Sequence, residues 1–129
     1  MAIKFKPIAK RNPLNPSLEP KYYASVVNRG DLSLRQLSKR IAEISTVSSI
    51  DTLAVLEAML QVIPQELTEG KIVRLGDFGS FRVAVNSEGV DTAEELSSHN
   101  IKKVNLHFRA GKEFSNVLKN TTFEKVSEK

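Results

Sequence analysis

The residues best equipped for chemistry are cations set into alternating strands. Phe81, Val83 and Val85 alternate with Arg82 and Ala84; further on, Val104, Leu106 and Phe108 alternate with Lys103, Asn105, His107 and Arg109. A two-residue period sends the apolar set to one face of a strand and the polar set to the other. Arg82, Lys103 and Arg109 then stand off the core face, with Lys102 and Lys112 close by in sequence and Lys71 and Arg74 on the flank. Guanidinium and ammonium groups massed on a sheet are suited to phosphate oxygens. Lys10 and Arg11 form a second, smaller group near the N-terminus. Any one of these cations can equally be a solvated charge near Glu113 or Asp77, but clustered cations favour a polyanion over isolated ones.

Other chemistries find no support. The chain has no cysteine, so disulfides and thiolate metal sites are excluded. His99 and His107 stand alone, whereas a zinc site needs three or four convergent ligands. Gly76, Gly79 and Gly89 do not form a phosphate-binding loop ahead of a helix, and no serine sits in a nucleophile elbow or a Ser/His/Asp arrangement. Glu94 and Glu95 lie in a polar loop and point to opposite sides in most backbones. The expectation is a protein without catalytic activity, metal or cofactor. No apolar run is long enough to span a membrane, and Met1 to Lys6 alternates charged and apolar residues, unlike a signal peptide. A cytosolic location is expected.

The 129 residues carry a net charge of +4, unevenly spread. Residues 1–31 hold six cations and two anions, and residues 101–129 hold seven and three; residues 76–100 hold one cation and five anions. The acidic block lies between the last two strands.

Several elements must position these groups. Ile3, Phe5 and Ile8 alternate with lysines and predict a strand, placed at an edge because of Pro7. Arg11 to Ser17 is turn chemistry, and Lys21 to Val27 predicts the second arm of a hairpin. Ser33 followed by Gln36 is a capping box, opening a helix with Leu34, Leu37, Ile41 and Ile44 on one face. Ser48 with Asp51 opens a second helix, from about Ser49 to Leu67. Its stripe of Leu53, Leu56, Met59, Leu60, Ile63 and Leu67 is wider than the first helix can cover, and Pro64 should disturb it locally. Ile72 to Leu75 predicts a short strand, and Gly76-Asp77 and Gly79-Ser80 bracket Phe78 as a turn. Thr92 to Leu96 suits a short helical turn capped by Thr92. Ala110 to Lys119 predicts a third helix, Asn120 to Lys125 a last strand or docked tail, and Ser127 to Lys129 a frayed end.

Phe78-Gly79-Ser80-Phe81, followed by Phe108-Arg109-Ala110-Gly111-Lys112 and preceded by the helical pair, resembles the bacterial histone-like HU and integration host factor family over roughly Leu32 to Asn120. The resemblance implies an intertwined homodimer, a sheet floor on which Arg109 and Lys112 meet DNA, and architectural binding of double-stranded DNA in the nucleoid. It also implies a DNA-embracing arm where residues 86–100 lie. A typical arm is basic and tipped by Arg-Asn-Pro, whose proline wedges between base pairs. Here the segment holds Glu88, Asp91, Glu94 and Glu95, which phosphates repel, so the arm mechanism does not carry over. An Arg11-Asn12-Pro13 tripeptide does occur in the N-terminal hairpin, where it is either an ordinary turn or a displaced wedge.

The reading is an α+β, HU-like homodimer. Residues 1–31 form a hairpin extension that packs on the sheet or extends it, residues 32–120 the DNA-binding domain, and residues 121–129 a tail. Little sequence preference is expected. The competing reading is an HU-like dimer that has lost DNA binding and serves as a protein-assembly module, using the hairpin's edge strand.

Overall fold

The computed structural model describes residues 2–126. The chain divides into two compact units, Met1–Asp31 with Val117–Lys129, and Leu32–Asn116. The expectation for residues 127–129 lies outside the described residues.

The larger unit starts with helices whose ends are set by local chemistry. Helix α1 spans Leu34–Glu43 behind the N-cap Ser33, whose hydroxyl accepts from the Gln36 amide while the Gln36 side chain accepts from the Ser33 amide. Helix α2 spans Ser49–Thr68 behind Ser48, which accepts from the Asp51 amide. Each cap satisfies amides that a helix start leaves without partners. α2 runs through Pro64 without ending, so the local disturbance expected there does not break it. α1 packs on α2, and α2 touches the strands at Val73–Arg74 and Gly79–Ser87. Among the described residues Ser38 and Thr52 are the buried polar ones, each hydroxyl bonded to a backbone carbonyl, of Arg35 and Ser48. Such small side chains allow close approach without orphaning a polar atom.

Strand β3 is only Val73–Arg74, shorter than the expected Ile72 to Leu75. A turn of 3-10 helix over Gly76–Phe78 leads into β4 (Gly79–Ser87), which pairs antiparallel with β3 and with β5 (Ile101–Ala110). Phe81, Val83 and Val85 lie opposite Phe108, Leu106 and Val104, giving one apolar face. Helix α3 spans Lys112–Lys119. Four phenylalanines join these elements: Phe78 meets Phe114 at 4.6 Å between centroids, and Phe81 meets Phe108 at 4.8 Å. Both spacings are those of attractive aromatic pairs.

The acidic segment is a folded cap and not an extended arm. The Glu88 amide donates to the Asn100 carbonyl at 2.8 Å, closing its base. Short 3-10 turns occupy Ala93–Glu95 and Ser98–Asn100. The first is the helical turn expected there, but Thr92 gives it no side-chain cap.

The smaller unit is a second sheet. Strands β1 (Ala2–Lys10) and β2 (Lys21–Val26) form the expected hairpin, and β6 (Thr122–Lys125) pairs with β1 in parallel. The order β2-β1-β6 corrects two expectations. The hairpin adds no strand to the β3-β4-β5 sheet, and Pro7 lies on the central strand. Pro7 is tolerated because the β1–β6 ladder ends at Phe5 with Lys125, so its missing N–H breaks no bond there. The tail is thus a strand.

Gly111 is the tightest joint. Its amide donates to the Phe78 carbonyl at 3.0 Å, and a Cβ there would run into the Asp77 carbonyl. Gly111→Ala should therefore destabilise the fold by about 1–3 kcal/mol, the cost of overpacking, read as a lower urea midpoint. Gly89→Ala, at a glycine with open space around it, should change the midpoint little.

Candidate nucleic-acid interface

The β3-β4-β5 register decides which cations share a face. Arg74 pairs with Ser80, and Ser80 pairs with Arg109. Arg74 and Arg109 therefore flank Ser80 on neighbouring strands. Arg82 pairs with His107, and Asn86 pairs with Lys103. Alternation puts Arg74, Ser80, Arg82, Asn86, Lys103, Asn105, His107 and Arg109 on the face opposite the phenylalanines. Among the described residues, Arg74, Arg82, Lys103 and Arg109 have no ion-pair partner. The four cations face solvent without a counter-charge.

Arg74 and Arg109 also line one hollow of about 280 Å³, together with Gly76, Gly79, Ser80 and Gly111. Gly79 has φ 151°, and a Cβ there would meet the Phe108 ring and the Arg109 carbonyl. Two guanidiniums beside one hollow repel each other until an anion enters. Forked N–H donors match the oxygens of a phosphate. Lys112 opens α3 just beyond. A cation in a first turn opposes the helix dipole, so helix stability does not account for it.

The structure separates two predicted residues from this group. Lys71 bonds Glu66 at 2.6 Å and Glu69 at 3.2 Å, and those hydrogen bonds, Glu66 first, raise its pKa above the ordinary lysine value. Its charge is already answered. Lys102 is the extra residue where the β4–β5 register shifts, and its ammonium lies 3.8 Å from Glu88. Arg74, expected on the flank, joins this face on the edge strand, beside Ser80. Its signal was the pairing of Ser80 with two arginine-bearing strands, which sequence alone does not show. Lys10 and Arg11 lie in the other unit. Arg11 Nη1 donates to the Pro16 carbonyl at 3.1 Å, and Asn12 Oδ1 accepts from the Leu14 amide at 3.0 Å. The Arg11-Asn12-Pro13 stretch therefore builds the hairpin turn.

A family model described as an HU domain fused to a wHTH, Ig or glycine-rich motif, HU-HIG, matches residues 1–125. The chain belongs to the HU-HIG family. Membership covers the hairpin and β6 as well as the helical pair and the β3-β4-β5 sheet. A search of curated proteins finds no match. Among solved structures, the crystal structure of a candidate bacterial DNA-binding protein from Bacteroides vulgatus ATCC 8482 is similar, with a TM-score of 0.68 at 12% identity. The alignment covers 99% of this HU-HIG chain and 50% of that one, so the chain spans half the length of its structural relative. At that identity the likeness is one of fold. None of the described helices is long and apolar enough to cross a membrane, and the described residues hold no cluster of three or more metal-ligating side chains.

Inorganic phosphate titrated into isotopically labelled protein should shift the amide resonances of Ser80, Ala110 and Gly111 first. Arg74→Gln with Arg109→Gln should abolish those shifts, while Lys71→Gln should leave them in place.

Proposed function

We propose that the protein binds double-stranded DNA as a homodimer, with little sequence preference, as an architectural protein of the bacterial nucleoid. The observation that carries this reading is the face bearing Arg74, Arg82, Lys103 and Arg109, free of acids that would neutralise it. Lys112 extends it, and Lys10 and Arg11 supply a second group from the other unit. Phosphate contacts would dominate, fixing position without reading bases. Family membership supports a DNA partner, and the nucleoid is where an HU-like protein would meet it. With an acidic, closed cap in place of a basic arm, the protein would bind without a wedge and bend the duplex weakly.

The dimer is supported by apolar surface left without cover. Among the described residues Leu67 is the buried hydrophobic residue. On α2, Val55 is 66% exposed and Leu60 54%; on the sheet's apolar face, Val104 is 59% and Leu106 61% exposed. Exposed apolar surface of this extent marks an association site. A second copy would bury it and double the cationic face.

A protein-assembly module that has lost DNA binding is the second reading, favoured by the acidic cap and by the open outer edges of β2 and β6.

Gel shift of a random duplex at two salt concentrations decides between them. DNA binding predicts a shift at low salt that weakens steeply, with the log–log slope falling by about 0.9 for each phosphate contact removed. Arg109→Glu with Lys112→Glu should cost at least tenfold in affinity and flatten that slope. A duplex left unshifted at low salt overturns the proposal in favour of the assembly module. Sedimentation should give twice the 14.3 kDa chain mass. Leu60→Asp should yield monomers that bind DNA more weakly.

A further inference from the structure

The β1–β2 hairpin has two unlike faces. Pairing sets Lys6 opposite Ser25, Ile8 opposite Tyr23, and Lys10 opposite Lys21. Lys4 lies on the same side by alternation, opposite Glu124 of β6. Ile3, Phe5, Ala24, Val26 and Phe123 take the other side and line an apolar groove. The first face thus gathers four lysines against one glutamate, with one aromatic ring among them. The Lys10 ammonium stands 5.7 Å from the centroid of Tyr23, which confirms the shared side. Among the described residues none of the four lysines has an ion-pair partner.

The hairpin loop makes this face concave. Lys10, Arg11, Leu18, Glu19, Lys21 and Tyr23 line a hollow of about 790 Å³. The bond from Arg11 to the Pro16 carbonyl uses one of its five N–H donors and holds the guanidinium at the rim. Tyr23 is 51% exposed, so much of its ring is open to a visitor. Lys4 and Lys6 stand about 6.6 Å apart along β1, two residues of strand rise.

We propose that this face is a binding site for single-stranded DNA, with Tyr23 stacking on an unpaired base and Lys4, Lys6, Lys10, Arg11 and Lys21 holding the backbone. A duplex keeps its base faces inside the stack, so a half-open ring in a basic hollow is of use only to an unpaired strand. A cationic track with an aromatic platform is the physical requirement for binding such a strand without sequence preference. The lone acid in the hollow, Glu19, leaves cations in excess. The inference rests on the DNA-binding reading for its class of partner and shares Lys10 and Arg11 with it, but Lys6, Lys21 and Tyr23, the residues its test alters, lie outside the groups assigned to the duplex. The two can therefore fail separately.

The test uses the full chain and a twelve-nucleotide oligo(dT). The protein has no tryptophan and two tyrosines, and Tyr22 lies on the opposite side of the sheet from Tyr23. In Tyr22→Phe the remaining emission comes from Tyr23, and oligo(dT) should quench at least half of it. In Tyr23→Phe the Tyr22 emission should stay nearly constant. Lys6→Gln with Lys21→Gln, both exposed, should weaken oligo(dT) binding about tenfold. It should lower the salt slope by about 1.4, or 0.7 per lost contact on a single strand. The same variant should shift a duplex as the unaltered protein does. The inference is overturned if oligo(dT) leaves Tyr23 emission unchanged, or if Lys6→Gln with Lys21→Gln weakens duplex and oligo(dT) equally. Duplex binding without oligo(dT) binding would remove this site and leave the proposed function standing. Oligo(dT) binding without a duplex shift would do the reverse.

Discussion

The cationic face depends on an aromatic contact behind it. Phe81 and Phe108 pair across β4 and β5, and Phe78 reaches Phe114 of α3. This contact fixes where β5 stops and α3 begins, and Arg109 and Lys112 sit at that junction. Phe78 can reach Phe114 only because the chain at Asp77 passes close over Gly111, where no side chain fits. Arginine geometry is thus inherited from phenylalanine packing, through a sheet one strand-layer thick.

Electrostatics sort the cations into two kinds. Lys71 and Lys102 each stand beside carboxylates, Glu66 and Glu69 for one and Glu88 for the other. Exposed pairs of this sort contribute little to stability. Their effect is to remove charge from the surface a polyanion would meet. Among the described residues Arg74, Arg82, Lys103 and Arg109 have no such partner, because the strand positions beside them hold Ser80, His107, Asn86 and Asn105. The acids of this unit lie in the loop over residues 88–100, at Asp77, and on the helices or just after them, off the polar face of the sheet. The result is a surface with charge of one sign on the sheet and the other on the loop beyond its end.

What sequence could reveal followed the range of the interaction. Ser33 with Gln36 and Ser48 with Asp51 marked the helix starts to the residue, since a cap is settled within one turn. The strands bearing Phe81 to Val85 and Val104 to Phe108 were legible through their alternation. The faces of Arg82, Lys103 and Arg109 followed from the same pattern. The register shift that isolates Lys102 was not legible, because a bulge depends on two strands at once. Nor was the nearness of Arg74 to Arg109, which requires knowing that Ser80 lies between them. Pro7 was misplaced for a related reason: proline on an inner strand is tolerated only where the neighbour has already ended, and that neighbour comes from the far end of the chain.

The parallel pairing of β1 with β6 sets a schedule for biosynthesis. Residues 2–5 leave the ribosome well before residues 122–125, their neighbours on one side. Until then β1 carries a row of unsatisfied amides and carbonyls beside Ile3 and Phe5, the kind of edge on which chains adhere to one another. Closing so long a loop is entropically slow. Lys4 and Lys6, spaced along that waiting edge, set like charges where two such copies would meet.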